Sequence, residues 1–404
     1  MTSTPGTAWP AAGAPVITRS VWDDLVGQQR AVDVLARAAR AAAAGLRGEP
    51  AEGMTHAWLF TGPPGSGRSN AARAFAAALQ CADAGCARCD ACHTALFGTH
   101  ADVEVTNTSN LSIGVKEARA LVSRAARHPA GGRWQVMIVE DADRLTDQAA
   151  NALLKAIEEP TPHTVWLLCA PSIEDALPTI RSRCRHVSLR TPPTAAVADV
   201  LVRRDQVDPA MATFAARAAQ GHIGRAKRLA TDEEARLRRH AVLNLPLSLA
   251  NLSSALESAA ALVDAATAEA TEITAPLDAQ EVEDTRRALG VGQGTRQPPG
   301  AAAVLKELAV EQKRRATRSR RDAIDRALVD LASFYRDVLA VQAGAAIELV
   351  NDEMREAVTS VARGSTPEAT LRCIDAVLAA RTAIDANVAP LLAVEAMTVA
   401  LRAG

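Results

Sequence analysis

The sequence predicts an α/β domain, built on a parallel sheet with flanking helices, that is followed by two all-helical regions. In the first half of the chain, short apolar stretches rich in β-branched residues alternate with stretches rich in alanine and leucine. This alternation is typical of a parallel sheet covered by helices on both faces. After Thr191-Pro192-Pro193 the strand signal disappears, and the rest of the sequence is helical in character.

The composition favours a helix-rich protein of two or three domains. The chain has 404 residues, of which 48% are hydrophobic and only 3% aromatic, so its cores must be packed with small aliphatic side chains. A net charge of −1 means that any nucleic-acid contact requires a local basic patch. No apolar run approaches the roughly 20 residues of a membrane span, and no secretory signal begins the chain. We expect a cytoplasmic protein without a membrane partner.

The elements of the α/β domain are predicted in alternating order. Residues 1–20, rich in Pro, Gly, Ala and Thr, are predicted to be a disordered leader. The predicted strands are the apolar runs 56–61, 101–105, 134–139 and 164–169. Helices are predicted from near Gly27, from Ser69, over 115–127 and over 149–158.

Three domains follow from these elements. The α/β domain is predicted over residues 21–190, short helices over 191–245, and a larger helical domain over 246–404. A Gly/Pro-rich stretch from Gly290 to Gly300 interrupts the last domain and predicts a flexible loop of about 275–300.

A glycine-rich segment after the first predicted strand predicts a phosphate-binding loop. It reads GPPGSGRS and consists of Gly62, Pro63, Pro64, Gly65, Ser66, Gly67, Arg68 and Ser69. In the pattern G-x-x-x-x-G-K-[ST], backbone N–H groups converge on phosphate oxygens, a lysine reaches the β- and γ-phosphates, and a hydroxyl holds the metal. Arg68 replaces the lysine, and a planar guanidinium is not equivalent to a compact ammonium. The alternative interpretation is a strand-to-helix turn that binds no ligand.

A second acidic motif follows the third predicted strand. In working triphosphatases this strand ends in an aspartate that helps to hold Mg²⁺, and in oligomeric ATPases a glutamate that activates water comes next. Here the order is inverted, since Glu140 precedes Asp141. Each side chain therefore differs by one methylene from what in-line attack by water requires, and such geometry tolerates displacement badly.

Four cysteines within twelve residues predict a structural metal site. Cys81, Cys86, Cys89 and Cys92 have the spacing C-x4-C-x2-C-x2-C. Four thiolates at this spacing can surround Zn²⁺ tetrahedrally and leave no open catalytic position. The alternative is a group of buried free thiols, which is less favoured because the four cysteines lie so close together in the sequence.

Two further signals are weak on their own. Arg183 in Ser182-Arg183-Cys184 is either a solvated surface arginine or an arginine finger that reaches the γ-phosphate of a neighbouring subunit. The stretch KRRATRSRR over 313–321 favours a salt-bridged, solvated helix over a nucleic-acid contact, because acidic residues flank it.

Together these motifs resemble the bacterial DNA polymerase III clamp-loader subunits of the AAA+ class. The resemblance is strong over residues 21–190 and weaker beyond. It rests on GPPGSGRS and the four cysteines together with DDLVGQ (23–28), GTHAD (98–102), EDADRLT (140–146), NALLKAIEEP (151–160) and SRC (182–184). Weaker similarity covers GHIGRA (221–226) and DANVAPLLAVEAM (385–397).

The resemblance implies an AAA+ module with a zinc-binding insertion, a helical lid and an all-α collar. It implies that Arg225 is the sensor-2 arginine of the lid, at the nucleotide, and that Arg183 acts as a finger in trans. Among the family members, the tau/gamma motor keeps lysine in the loop, an Asp-Glu pair and a polar sensor where this chain has Ala170-Pro171. The altered residues at all three places, with Arg183 kept, resemble the delta-prime stator.

As a delta-prime-like subunit, the chain is expected in a five-membered ring with tau/gamma and delta subunits. That ring loads the β sliding clamp onto primed DNA, as part of a DNA polymerase III holoenzyme, and this chain supplies neither polymerase chemistry nor ATP hydrolysis of its own. The resemblance implies structural Zn²⁺ and leaves the binding of ATP or ADP open. The alternatives are an active tau/gamma-type motor, in which Arg68 does the work of lysine, and a nucleotide-free scaffold.

Overall fold

The computed structural model describes residues 20–50, 52–106, 112–131, 133–290 and 300–403. The predicted leader lies outside the described residues except for Ser20, and so does the predicted loop between Gly290 and Gly300. One parallel five-stranded sheet is described, in the order β2-β3-β4-β1-β5. Its strands are β1 Ala57–Thr61, β2 Val103–Thr106, β3 Gln135–Val139, β4 Thr164–Ala170 and β5 Arg185–Ser188. This sheet with its flanking helices confirms the predicted fold class and resembles the AAA+ fold.

Fifteen α-helices are found in the described part of the chain. Those of the α/β domain are α1 Gln29–Leu46, α2 Arg68–Gln80, α3 Asp90–Phe97, α4 Val115–Ala125, α5 Asp147–Glu158 and α6 Pro178–Arg181. The middle region contains α7 Thr194–Asp205, α8 Pro209–Ala218 and α9 Ile223–Thr231. The C-terminal region contains α10 Glu233–Ser248, α11 Leu252–Ala288, α12 Ala301–Gln342, α13 Arg355–Gly364, α14 Pro367–Asp385 and α15 Pro390–Ala403.

Burial of apolar strands between two layers of helices forms the α/β domain. Every residue of β1, β3 and β4 is buried, as expected for strands covered on both faces. One core, which includes Trp58 and Phe75, packs α1 and α2 against one face of the sheet. A second core, which includes Met137 and Leu153, packs α4 and α5 against the other face. The carboxyl ends of the central strands thus meet at one edge, where ligands of such sheets bind.

The helical regions have separate cores. Small side chains such as Ala212, Ala215 and Ala226 pack α7, α8 and α9 together. The C-terminal core contains Leu243 and Leu245 of α10 together with residues of α11 to α15. The predicted boundary at residue 245 therefore falls within α10, which already packs against the C-terminal region.

The predicted loop of about 275–300 is wrong at its start. The structure continues α11 as far as Ala288 and through Pro276. The neighbouring helix explains this difference, because Arg315 of α12 pairs with Asp278 at 2.5 Å and also with Glu281. Ion pairs between the two helices lie on both sides of Pro276, since Arg326 pairs with Glu269 before it and Arg315 with Asp278 after it. No helix among the described residues is long and apolar enough to cross a membrane.

Candidate phosphate loop, metal site and surface arginine

The phosphate-loop sequence lies where its chemistry requires, between β1 and the start of α2. Gly67 is the residue before α2 and has a φ of 89°, a left-handed conformation that suits glycine. The side chain of Gln28, which is 5% exposed, stabilises the loop by hydrogen bonds. Its amide nitrogen donates to the carbonyls of Ser66 and Arg190, at 3.2 and 2.5 Å. The loop is therefore tied to the segment that leads into the middle region.

The arginine that replaces lysine turns back on its own loop. Nη1 of Arg68 donates to the carbonyl oxygen of Gly62 at 2.8 Å. The middle region also packs against the loop. His222 lies so close to Gly65 that a Cβ added at position 65 would be 2.6 Å from the Cβ of His222. Ser66 is buried, and its Oγ has no hydrogen-bond partner among the described residues. The backbone conformation of the phosphate loop is therefore retained, while the guanidinium of Arg68 is hydrogen-bonded within the loop.

Both acidic residues after β3 are ion-paired with arginines of the same chain. Oε1 of Glu140 accepts from Arg73 of α2 at 3.0 and 3.1 Å. Asp141 pairs with Arg318 of α12 at 3.3 Å, a contact between residues 177 positions apart. The nearby carboxyl of Asp143 is half-buried, and its burial raises the pKa of that group. The carboxylates that would hold Mg²⁺ are thus neutralised by guanidinium groups, and this arrangement does not fit a hydrolytic metal site.

The position after β4 lies directly beside the phosphate loop. The N–H of Gly62 donates to the carbonyl of Pro171 at 3.1 Å. Ala170 and Pro171 offer no polar side chain there. A side chain that could sense a γ-phosphate from this position is therefore absent.

Arg225 is engaged in a buried network between the middle and C-terminal regions. Its Nη2 contacts both carboxylate oxygens of Asp330 in α12 at 2.5 Å. Arg239 of α10 shares Asp330 and also pairs with Glu353. Among the described residues, the guanidinium of Arg225 makes no hydrogen bond to the phosphate loop. A cavity of about 350 Å³, mostly apolar, lies beside this network.

The four predicted metal ligands lie together. Sγ of Cys81 is 3.6 Å from Sγ of Cys86 and 3.7 Å from Sγ of Cys89, and the four sulfurs, with Cys92, lie within 4.8 Å of one another. Zinc–sulfur bonds of about 2.3 Å in a tetrahedron require sulfur separations of about 3.8 Å. The backbone N–H of Arg88, followed by that of Cys89, lowers the pKa of the Cys86 thiol to about 6, whereas burial raises the pKa of the Cys89 and Cys92 thiols. The cluster can therefore hold a metal ion that prefers thiolates.

Arg183 lies on the surface, at a backbone position that is firmly anchored. Its N–H donates to the carbonyl of Ile180, a core residue at the end of α6. The next residue, Cys184, packs against the same core, and burial raises the pKa of its thiol to about 12. The side chain of Arg183 is 35% exposed and pairs with Glu158, the last residue of α5.

Sequence reasoning found the loop, the acidic pair, the cysteines and Arg183, but it missed their partners. These are Gln28, Arg73, His222 and Arg318, and the partner of Arg225, Asp330, was missed as well. For Arg318 a partial signal existed, because the basic stretch 313–321 was interpreted as salt-bridged, and Arg315 and Arg318 do form ion pairs. Gln28 and His222 lie in the motifs DDLVGQ and GHIGRA, which did not indicate their contacts, whereas Arg73 and Asp330 are distant in sequence from their partners and lie in no motif.

The sheet, the strand-loop-helix unit and the acidic strand end resemble a P-loop domain of the AAA+ class. Residues 47–193 match the family described as "DNA polymerase III, delta subunit". The chain is 37% identical over 163 residues to DNA polymerase III subunit delta' of Pseudomonas aeruginosa, covering 39% of this chain and 50% of that protein. It is 35% identical over 155 residues to DNA polymerase III subunit gamma/tau of Mycobacterium tuberculosis, covering 37% and 27%.

These matches confirm the predicted resemblance to clamp-loader subunits of the AAA+ class. The alignments span between about a quarter and a half of the curated relatives' length. A solved structure, the RuvB Holliday junction branch migration motor of Thermotoga maritima, is similar with a TM-score of 0.37 and 19% identity, covering 56% of this chain and 66% of that one.

Proposed function

We propose that the chain is the delta-prime-type stator of a DNA polymerase III clamp loader. The observation that carries this proposal is that Glu140 and Asp141 are each paired with an arginine of the same chain, Arg73 and Arg318. A triphosphatase needs these carboxylates for metal and water. A subunit whose carboxylates are held in ion pairs retains the fold but does not hydrolyse ATP.

The proposed partners are those of a five-membered ring. Tau/gamma subunits next to this chain bind and hydrolyse ATP, and delta completes the ring. Through this complex the chain takes part in opening the β sliding clamp and loading it onto primed DNA. The C-terminal helices, with exposed apolar side chains such as Leu371, Leu378 and Leu392, supply the collar surface that holds the ring together.

In this ring Arg183 acts on the neighbour's ATP. Its anchored backbone and exposed guanidinium suit a group that must reach another subunit. The positive charge stabilises the charge that develops on the transferred phosphoryl group. The retained backbone cradle of residues 62–69 fits a phosphate group, but Glu140 and Asp141, each paired with an arginine, do not activate water.

The proposed cofactor is a structural Zn²⁺ held by Cys81, Cys86, Cys89 and Cys92. Their sulfur separations match those of a zinc tetrahedron. The ion would stabilise the segment between α2 and α3 and would take no part in ATP hydrolysis.

The finger is tested in a reconstituted ring whose tau/gamma subunits carry alanine in place of their own finger arginine. The ATP site next to this chain is then the one that still receives a finger. We expect Arg183→Ala to lower DNA- and clamp-stimulated ATP turnover by about 10³-fold or more, the usual contribution of arginine fingers. The matched control is Arg181→Ala, which removes an exposed arginine two positions away. Unchanged turnover with Arg183→Ala would contradict the finger role.

A further inference from the structure

The guanidinium of Arg183 is held from one side by its own chain. Nε donates to Oε1 of Glu158, and Nη1 donates to the carbonyl of Thr179 at 2.7 Å and to Oγ of Ser182 at 3.1 Å. Within the described residues, Nη2 has no hydrogen-bond partner. Two of the three nitrogens are therefore fixed, and the third remains free to contact another molecule.

The two residues of this pair project from independently anchored elements. Glu158 ends α5, where the preceding residue, Ile157, is fully buried in the core of the α/β domain. Arg183 follows α6 and is fixed by Ile180, which is 1% exposed. Because both backbones are held by the core, the ion pair restricts the side chain of Arg183 without having to support the fold.

We propose that Glu158 is a positioning residue that orders Arg183 for contact with the neighbour's nucleotide. This inference rests on the proposed function. A long arginine side chain has many rotamers, and a finger that is already oriented loses less conformational freedom when it reaches the phosphate. The carboxylate binds Nε, so it leaves the Nη2 edge of the guanidinium available for an anionic oxygen.

The alternative is that Glu158 sequesters Arg183 from the nucleotide. The positioning role and the sequestering role predict opposite changes in kcat. If Glu158 positions the finger, Glu158→Ala lowers kcat of the neighbouring site. If Glu158 competes with the nucleotide for the guanidinium, the same variant raises kcat. The expected change is modest, because the pair is partly exposed to solvent, with side chains 35% and 44% exposed.

The experiment uses the same reconstituted ring with finger-deficient tau/gamma subunits. We expect Glu158→Ala to lower kcat by roughly two- to fivefold, the range set by a partly exposed ion pair, with the KM for ATP unchanged. We expect Glu158→Gln to restore most of this loss, because its amide oxygen can still accept from Nε. The matched control is Glu159→Ala, which removes the adjacent exposed carboxylate and leaves turnover unchanged.

A double-mutant cycle separates positioning from a general structural effect. In the Arg183→Ala background, Glu158→Ala should have no further effect on kcat. An equal loss in that background, or a rise in kcat with Glu158→Ala alone, would overturn the positioning role. If Arg183→Ala lowers turnover and Glu158→Ala does not, this inference fails and the proposed function stands. If Arg183→Ala has no effect, both fail.

Discussion

At the scale of single residues, three arginines determine what the phosphate loop can do. Arg68 donates to Gly62 within the loop, Arg73 pairs with Glu140, and Arg318 pairs with Asp141. The sequence showed the lysine-to-arginine change and the inverted acidic pair as separate departures from the ATPase pattern. The structure shows that each altered residue has a partner inside the chain, and these pairings support the proposal that the chain does not hydrolyse ATP.

The first residue-scale prediction concerns restoration of the lysine. We expect Arg68→Lys to leave the isolated chain without ATPase activity, because the carboxylates needed for metal and water remain paired with Arg73 and Arg318. Hydrolysis is measured by phosphate release with purified chain and Mg-ATP, and a tau/gamma subunit assayed in parallel gives the positive signal. Turnover by Arg68→Lys comparable to that of tau/gamma would support the motor alternative and contradict the stator.

At the scale of elements, the cysteine cluster lies in a short segment that contributes only small side chains to the core of the α/β domain. The segment between α2 and α3 contains two residues other than glycine with positive φ, Ala84 at 53° and Ala87 at 55°. Such conformations are unfavourable for residues with a Cβ. Bonds from four cysteines to one ion would compensate for this strain and hold the turn in place.

The prediction for the cysteine cluster therefore concerns metal content and stability rather than ATP hydrolysis. We expect the protein to contain about one zinc per chain, and Cys81→Ser to lower both zinc content and Tm, because the remaining ligands cannot close the tetrahedron. Zinc is measured by elemental analysis of purified protein, and Tm by thermal unfolding. The matched control is Cys373→Ala, a buried cysteine of α14 outside the cluster. Equal zinc content in the two variants would disprove the site.

Elements with a strong local pattern could be predicted, and those set by distant contacts could not. The apolar runs that became β1, β3 and β4 are fully buried, so their hydrophobicity was visible in the sequence. Strand β5 was missed because it pairs with β1 at the edge of the sheet and exposes three of its four residues. The end of α11 was misplaced because its contacts with α12, such as Asp278 with Arg315, lie beyond Pro276 and are distant in sequence.

The same distinction explains the candidate site. The four cysteines, which the structure brings together, could be predicted from their spacing, whereas the role of Arg183 as a finger stays a prediction. The position of Arg225 could not be predicted, because its partner Asp330 lies 105 residues away and has no motif. An arginine expected at the nucleotide is therefore an ion-pair partner in the contact between two helical regions.

At the scale of the whole molecule, buried and partly buried ion pairs connect the three regions. Arg318 connects the C-terminal region to the end of β3, and Asp330 connects it to the middle region through Arg225 and Arg239. His222 of the middle region in turn contacts Gly65 of the phosphate loop. These contacts connect the middle region to both other regions, which supports the proposed stator role.

The last prediction tests this whole-molecule coupling at Asp330. The side chain is 5% exposed and faces two guanidinium groups, so Asp330→Ala leaves Arg225 and Arg239 with less compensating charge in a buried environment. Breaking one partner of a buried ion pair costs about 3 kcal/mol or more in the free energy of unfolding. We expect a corresponding fall in the urea midpoint of the transition that includes the C-terminal region. Asp264→Ala, at an exposed position of α11, should change stability by less than about 0.5 kcal/mol. Similar stability of the two variants would show that Asp330 does not join the regions energetically.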